Sequence, residues 1–301
     1  MTGRFALRPG LTSVGILLGA FVATLAGPAR AAEEAHPEIH RQHWSFGGVF
    51  GHFDDAQLQR GFKVYTEVCS RCHGVRRLAF RNLAQPGGPS FPEAAVKSLA
   101  ATYQVDAEPN EEGKIGKRPA TLADHIPPPY RNDQEARFAL NGALPPDLSL
   151  IARARAAEEA TPFYRVPDRM LRDVLAAYQE GGADYVYAYL TGYKEPPAAT
   201  KLADFMNYNV AFPGHQTAMP NPFLGGEGMV KYDDNTPATV DNYARDVTAF
   251  LAWAADPRLE ERKRTGVLVV AYIVLTALLL GLAKRRIWRD VHQSPVGSSR
   301  G

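Results

Sequence analysis

The chain has 301 residues, 45% hydrophobic and 22% charged, with 26 Gly and 23 Pro, a globular composition with room for one large domain or two ordinary ones and with much loop. Residues 32–260 carry 23 Lys and Arg against 30 Asp and Glu, a net charge of −7. An acidic body argues against nucleic acid as a partner and favours a basic protein partner, with ordinary solvated charge as the plainer reading. The formal charge of +2 over the whole chain comes from its basic ends.

Residues 1–31 read as a secretory signal that is cleaved. Arg4 and Arg8 form a positive start, Leu11 to Leu25 is apolar, and Ala29-Arg30-Ala31 is an A-x-A cleavage site. The apolar run is shorter than the ~20 residues of a membrane span. From Ala32 to Gly51 the chain is rich in His and aromatic residues, among them His36, His40, His43, Trp44, Phe46 and Phe50, and is expected to be an irregular arm packed on the body. Asp54 and Asp55 are N-cap residues for a helix whose Leu58, Phe62, Val64, Tyr65 and Val68 lead into Cys69.

Cys69-Ser70-Arg71-Cys72-His73 has the C-x-x-C-H spacing of covalent c-type haem attachment. Two thiols at that spacing add across the two vinyl groups of one haem edge, and the following histidine supplies the proximal imidazole. Cys69 and Cys72 are the chain's 2 cysteines. A thioredoxin-like pair would need a βαβ pattern beside it, a zinc site would need a second ligand pair, and a plain disulfide fits an exported chain. Gly74 is placed to end the helix.

Residues 84–135 are loop-rich, with Pro86, Pro89, Pro92, Pro119 and the run Pro127-Pro128-Pro129. Asn141 to Ser149 then opens a helical segment capped by Asp147 or Ser149 and carrying Arg153 and Arg155. Both arginines are candidates to pair with haem propionates, and spacing alone favours solvent-facing side chains. Residues 156–180 are polar and rich in Ala and Glu; Tyr185 to Leu190 is a further helical pattern ending at Gly192.

A sixth iron ligand can come from Met170, Met206, Met219, Met229, His125 or His215. Met219 is favoured, because Ala218-Met219-Pro220-Asn221-Pro222 is a proline-stiffened loop after the aromatic Phe212. Thr236-Pro237 reads as an N-cap for a helix carrying Val240, Tyr243, Val247, Phe250 and Trp253, expected to cross the first helix. From Pro257 to Asp290 no breaker intervenes, and Gly266 to Ala283 contains no charge, which predicts one long helix running through a membrane. Arg262, Lys263 and Arg264 precede that run; Lys284, Arg285, Arg286 and Arg289 follow it, with Trp288 as an interfacial anchor. The basic bias across it is small, so the signal sets the orientation, with the body outside.

Taken together these stretches resemble the cytochrome c1 family, the haem-bearing subunits of the cytochrome bc1 complex, in a bacterial form. The residues that carry the resemblance are Arg60 to Tyr65 leading to Cys69–His73; Asn141 to Ser149 with Arg153 and Arg155; and Asp184-Tyr185-Val186 and Leu190 to Tyr193 with Glu195-Pro196-Pro197. After Met219 come Asp234, Thr236 to Thr239, Asp246-Val247 and the tail helix with Arg262 to Arg264. The match covers most of 40–290.

The resemblance implies a mainly α fold: a class I cytochrome c-like haem domain with long loop insertions plus one C-terminal transmembrane helix. Residues 32–256 would be the periplasmic haem domain, 257–290 the long helix with its membrane part at about 266–283, and 291–301 a cytoplasmic tail, in a single-pass protein of the bacterial inner membrane. It implies one haem c held by Cys69 and Cys72 and ligated by His73 and Met219, with Arg155 on a propionate and Tyr185, Pro146 and Phe212 lining the haem. It implies one-electron transfer from a Rieske iron–sulfur protein to a soluble or membrane-bound cytochrome c, beside cytochrome b in a dimeric complex, and no quinone chemistry in this chain. The segment 156–180 is longer than in mitochondrial relatives, the loop after His73 differs, and a further disulfide has no cysteines to form it. The competing readings are another membrane-anchored c-type cytochrome such as an oxidase subunit, a haem enzyme with an open iron position, and a haem-free thiol oxidoreductase.

Overall fold

The computed structural model describes Pro37, residues 39–156, 163–198 and 200–293. The expected signal sequence and most of the expected cytoplasmic tail lie outside the described residues. Helix α1 spans Asp55–Glu67 and starts where Asp54 accepts a hydrogen bond from the Gln57 amide. Its Leu58, Phe62 and Tyr65 recur every three to four residues and are buried. The chain then holds helix α2 (Glu93–Ala101), an antiparallel hairpin of β1 (Gln104–Pro109) and β2 (Ile115–Pro119), and helices α3 (Asp133–Ala139) and α4 (Ile151–Ala154). Helices α5 (Val166–Leu175) and α6 (Gly181–Thr191), the two-residue strands β3 (Asn207–Tyr208) and β4 (Gln216–Thr217), and helices α7 (Val240–Ala255) and α8 (Leu259–Gln293) complete it.

The core is the crossing of α1 on α7, as expected from their apolar spacing. Phe62 and Tyr65 of α1 pack their rings, tilted, against Phe250 of α7 at centroid distances of 5.5 and 5.7 Å. The approach is close because residue 61 is glycine: a Cβ there would lie 2.1 Å from the Asp246 carbonyl oxygen. Arg60, one residue earlier, bonds Asp246 of α7 at 2.9 Å and Asp234 of the preceding loop at 2.8 Å. Asp246 is nearly fully buried, so this pair locks the crossing by a charged hydrogen bond as well as by packing.

The arm expected before α1 is irregular and packed, with Trp44 and Phe46 buried. One buried carboxylate holds it: Asp184 of α6 accepts from the Gln42 amide at 2.9 Å, from Trp44 Nε1 at 2.7 Å and from the Tyr178 hydroxyl at 2.6 Å. Three donors on one buried carboxylate are the condition under which burying its charge is tolerated.

Two expectations are corrected. Helix α7 is capped by Thr239, whose Oγ1 accepts from the Asn242 amide, and not by Thr236. The Asp234 side chain takes the Thr236 amide at 3.0 Å, an Asx turn that keeps Thr236 out of the helix. The stretches expected to be loop or merely polar contain α2, the hairpin, the start of α3 and α5, because short helices leave little periodicity to read.

Helix α8 is 35 residues long, about 52 Å at the helical rise. Among the described residues it is the one helix long and apolar enough to cross a membrane, over Leu259–Arg289. Leu259 at its start is buried in the body, and its large apolar side chains from Val267 to Trp288 are exposed.

Candidate haem-binding site

The motif begins as α1 ends. Cys69–Arg71 forms a 3₁₀ turn, and the Cys72 and His73 amides both donate to the Cys69 carbonyl, at 3.1 and 2.9 Å. Cys69 and His73 are buried and Cys72 is half-buried; both thiols are free. Burial, with Cys72 beside it, pushes the Cys69 thiol up to about 12. A redox-active C-x-x-C lowers a thiol's pKa to make thiolate, so this environment disfavours the thiol oxidoreductase reading.

The His73 ring is fixed by the segment from Ala143 onward. Its Nδ1 lies 2.8 Å from the Pro146 carbonyl oxygen, which can only accept, so Nδ1 carries the proton and Nε2 presents a lone pair. Burial lowers the His73 pKa, against the opposing pull of the Pro146 carbonyl and Asp147, which keeps the ring neutral. The 143–149 segment is itself pinned to the chain after His73. The Leu148 amide donates to the Gly74 carbonyl at 2.8 Å, Asp147 accepts from the Arg76 amide at 2.9 Å, and Ser149 Oγ accepts from the Arg77 amide at 3.0 Å. The Tyr65 hydroxyl of α1 donates to the His73 carbonyl at 3.1 Å. Two free thiols at C-x-x-C spacing, and a neutral imidazole held in one tautomer, fit a covalent haem.

The Met219 side is a loop held by side chains. The Tyr193 hydroxyl donates to the Met219 carbonyl at 3.1 Å, and the Met219 amide donates to Thr217 Oγ1 at 3.3 Å. Tyr189 bonds Thr217 at 2.6 Å. Asn209, fully buried, donates to the Tyr189 carbonyl and accepts from the Ala211 amide. Rings join the same group: Tyr189 contacts Tyr185 at 6.2 Å, Tyr193 at 5.8 Å and Phe212 at 5.9 Å between centroids. Tyr185, Phe212 and Met219 are therefore brought into one aromatic cluster, and Pro146 is brought to His73.

Of the other ligand candidates, His125 is exposed, and Met170 and Met206 stand 62% and 38% exposed. His215 Nδ1 faces the Asn209 carbonyl oxygen at 3.2 Å, and Met229 packs against the core. No cluster of three or more His, Cys, Asp or Glu suited to a metal is present among the described residues. Arg155 is exposed just past α4. Arg153 pairs with Asp256 at the α7–α8 junction. Tyr65, Tyr189, Tyr193, Asn209 and Thr217 were not singled out from sequence as site residues. Their partners lie in distant segments, which spacing along the chain does not reveal.

Comparison with known proteins decides the family. The model of the cytochrome C1 family matches residues 44–291. The chain belongs to the cytochrome c1 family. Family members are haem-bearing electron-transfer subunits. A cytochrome c1 of Blastochloris viridis is 40% identical over 282 residues, covering 93% of this chain and 96% of the relative. A mitochondrial protein of Saccharomyces cerevisiae, named cytochrome c1, heme protein, is 43% identical over 238 residues, covering 79% of this chain and 67% of the relative. A Bradyrhizobium diazoefficiens protein named cytochrome b/c1 is 43% identical over 285 residues; these cover 94% of this chain but 40% of that longer relative. Membership of the cytochrome c1 family sets aside both the thiol protein and an unrelated membrane-anchored c-type cytochrome.

Proposed function

We propose that this chain is the haem c subunit of a ubiquinol–cytochrome c oxidoreductase, taking one electron from a Rieske iron–sulfur protein and passing it to a soluble or membrane-bound cytochrome c. The observation that carries the reading is the His73 ring, buried, neutral and fixed through Nδ1 so that Nε2 is left for iron. Cys69 and Cys72 hold the haem, His73 and Met219 ligate it, Arg155 pairs with a propionate, and Pro146, Tyr185 and Phe212 line it. Haem c, when bound, supplies a reversible one-electron change at iron.

The chain's own residues keep that change from moving anything else. His73 needs no proton exchange, because its one ring proton is held on the Pro146 carbonyl. The main chain at both ligands is tied by a tyrosine hydroxyl, Tyr65 at His73 and Tyr193 at Met219. Fixed ligands cost little rearrangement on each transfer.

The reading places residues 32–256 in the periplasm of a bacterial cell, 257–290 as the helix that crosses the inner membrane near 266–283, and 291–301 in the cytoplasm. It places cytochrome b beside this chain in a dimeric complex; the cytochrome b/c1 name of the Bradyrhizobium relative supports that pairing. The net charge of −7 over residues 32–260 would steer a basic acceptor, so the association rate should fall as salt rises. A rate flat from low to high salt removes the steering.

The test is a haem stain of membrane proteins on a denaturing gel, with a reduced-minus-oxidised spectrum. A stained band below the 32.9 kDa mass of the uncleaved chain, lost in a Cys69→Ser, Cys72→Ser double variant and co-purifying with b-type haem, is the expected result. An unstained band would overturn covalent haem, and stain without b-type haem would overturn the complex.

A further inference from the structure

Helix α5 (Val166–Leu175) is built inside out for a helix on a globular body. None of its residues is buried. Met170, Leu171, Val174 and Leu175 stand 62%, 58%, 73% and 76% exposed on one side. The other side carries the pairs Asp168–Arg172 and Arg169–Asp173, and Asp173 turns to the body, where Arg41 meets it at 2.7 Å. Of the charged side, Arg169 and Asp173 lie part-buried toward the body while Asp168 and Arg172 are exposed, and the apolar side faces outward, where an amphipathic helix on a globular body would bury it.

What lies next to that face is the base of α8. Gln179, four residues after Leu175, accepts from Arg262 at 3.0 Å. Four residues of chain reach at most about 14 Å, so the end of α5 stays close to Arg262. Arg262 precedes Gly266, where the charge-free run begins, by about 6 Å of helical rise. Headgroup layers are roughly 5–8 Å thick on each side of the hydrocarbon, so this contact is at headgroup height.

A second apolar stretch stands at the same height on another side of α8. Lys263 donates to the Phe46 carbonyl at 2.6 Å and to the Gly48 carbonyl, and Glu260 accepts from the Phe53 amide at 2.8 Å. Between these ties Val49 and Phe50 project, 42% and 87% exposed. Successive helical residues point about 100° apart, so Glu260, Arg262 and Lys263 hold their partners around the helix and not in one groove.

We propose that the outer face of α5 and the Val49–Phe50 turn form a footing that rests on the lipid bilayer around the base of α8. The occupant is the boundary between headgroups and acyl chains, which takes an amphipathic helix lying in its plane with apolar side chains buried. The footing gives the haem domain a second membrane contact and restrains its tilt and rotation about α8. The inference rests on the reading of α8 as a membrane span.

Single-cysteine variants of the full-length haem-loaded chain in liposomes test it, because haem attachment consumes Cys69 and Cys72. Phe50→Cys and Leu175→Cys would carry nitroxide labels, with Leu275→Cys marking the span and Phe138→Cys, 92% exposed on α3, marking an apolar position outside both tethered stretches. Relaxation by oxygen and by a water-soluble nickel chelate is read at each. Labels at 50 and 175 should be oxygen-accessible and nickel-protected, as at 275, and opposite to 138. Nickel access at 50 and 175 with a lipid-like 275 overturns the footing and leaves the anchor standing. Protection from both relaxers would mean that protein covers the face, which also overturns it. Nickel access at 275 would overturn the anchor itself.

Discussion

His73 follows helix α1 and its 3₁₀ turn; its ring and amide are held by two main-chain carbonyls, of Pro146 and Cys69, while the side chains of Tyr65, Asp147 and Ser149 brace the chain around it. Met219 stands in a bend between short strand β4 and a proline-flanked turn, and its support comes from the side chains of Tyr193, Thr217, Tyr189 and Asn209. As the proposed ligands, the two would do the same job with different materials. Backbone support survives most substitutions, because any residue supplies a carbonyl. Side-chain support is lost with one hydroxyl. The difference teaches that the His73 side is the robust half of the site and the Met219 side the adjustable half.

The largest break in that comparison is to remove each ligand in turn. Met219→Ala should keep the covalent haem, because both thioether positions remain, while opening one iron position, so that carbon monoxide binds the reduced protein. His73→Ala should abolish the native spectrum and sharply reduce haem-stained protein, since the motif's own ligand is gone. Staining and carbon monoxide difference spectra separate the two. Equal carbon monoxide binding by the wild type and Met219→Ala would remove Met219 as a ligand.

Next in size is Gly61→Ala. The added Cβ would sit 2.1 Å from the Asp246 carbonyl and 2.7 Å from the Phe250 Cβ, so α1 and α7 must separate. The cost should reach or exceed the upper end of the about 1–3 kcal/mol typical of overpacked cores. Because α1 leads into the motif, the His73 side should loosen with it. Chemical denaturation with haem absorbance as the probe measures this; a variant as stable as wild type would show that the crossing has slack.

The parts legible in sequence were those with local causes. Cys69, Cys72 and His73 announce themselves by spacing; Asp54 caps α1 as its position before an apolar-periodic run predicts; and α8 follows from an uninterrupted charge-free stretch. Proline-stiffened presentation singled out Met219 before any fold was visible. The rest depended on distance along the chain. Tyr193 reaches Met219 across 26 residues, and Gln42 and Trp44 reach Asp184 across 142 and 140. Thr236 before Pro237 read as the cap, but its amide is taken by the Asp234 side chain and Thr239 caps the helix. Helix α5 escaped notice because its apolar face covers nothing in the body and its charged residues dominate the composition.

The smallest expected effect compares the two hydroxyls that face the ligand carbonyls. Tyr65→Phe and Tyr193→Phe each remove one hydrogen bond, worth about 1 kcal/mol. The Tyr65 variant should leave ligation intact, because the Cys69 and Pro146 carbonyls still fix His73. The Tyr193 variant should let Met219 detach part of the time, read as slow carbon monoxide binding. The pH dependence sharpens the pair. Burial raises the pKa of both tyrosines; Tyr189 next to Tyr193 and Cys69 next to Tyr65 push the same way. A tyrosine with its folded pKa above the unfolded value of about 10 contributes fully below that pH and loses its contribution as pH rises toward the folded pKa. Wild-type stability should therefore fall above about pH 10, and less steeply in either phenylalanine variant. Thermal denaturation from pH 8 upward measures the slopes, and identical slopes in all three proteins would mean that neither buried tyrosine governs the alkaline loss.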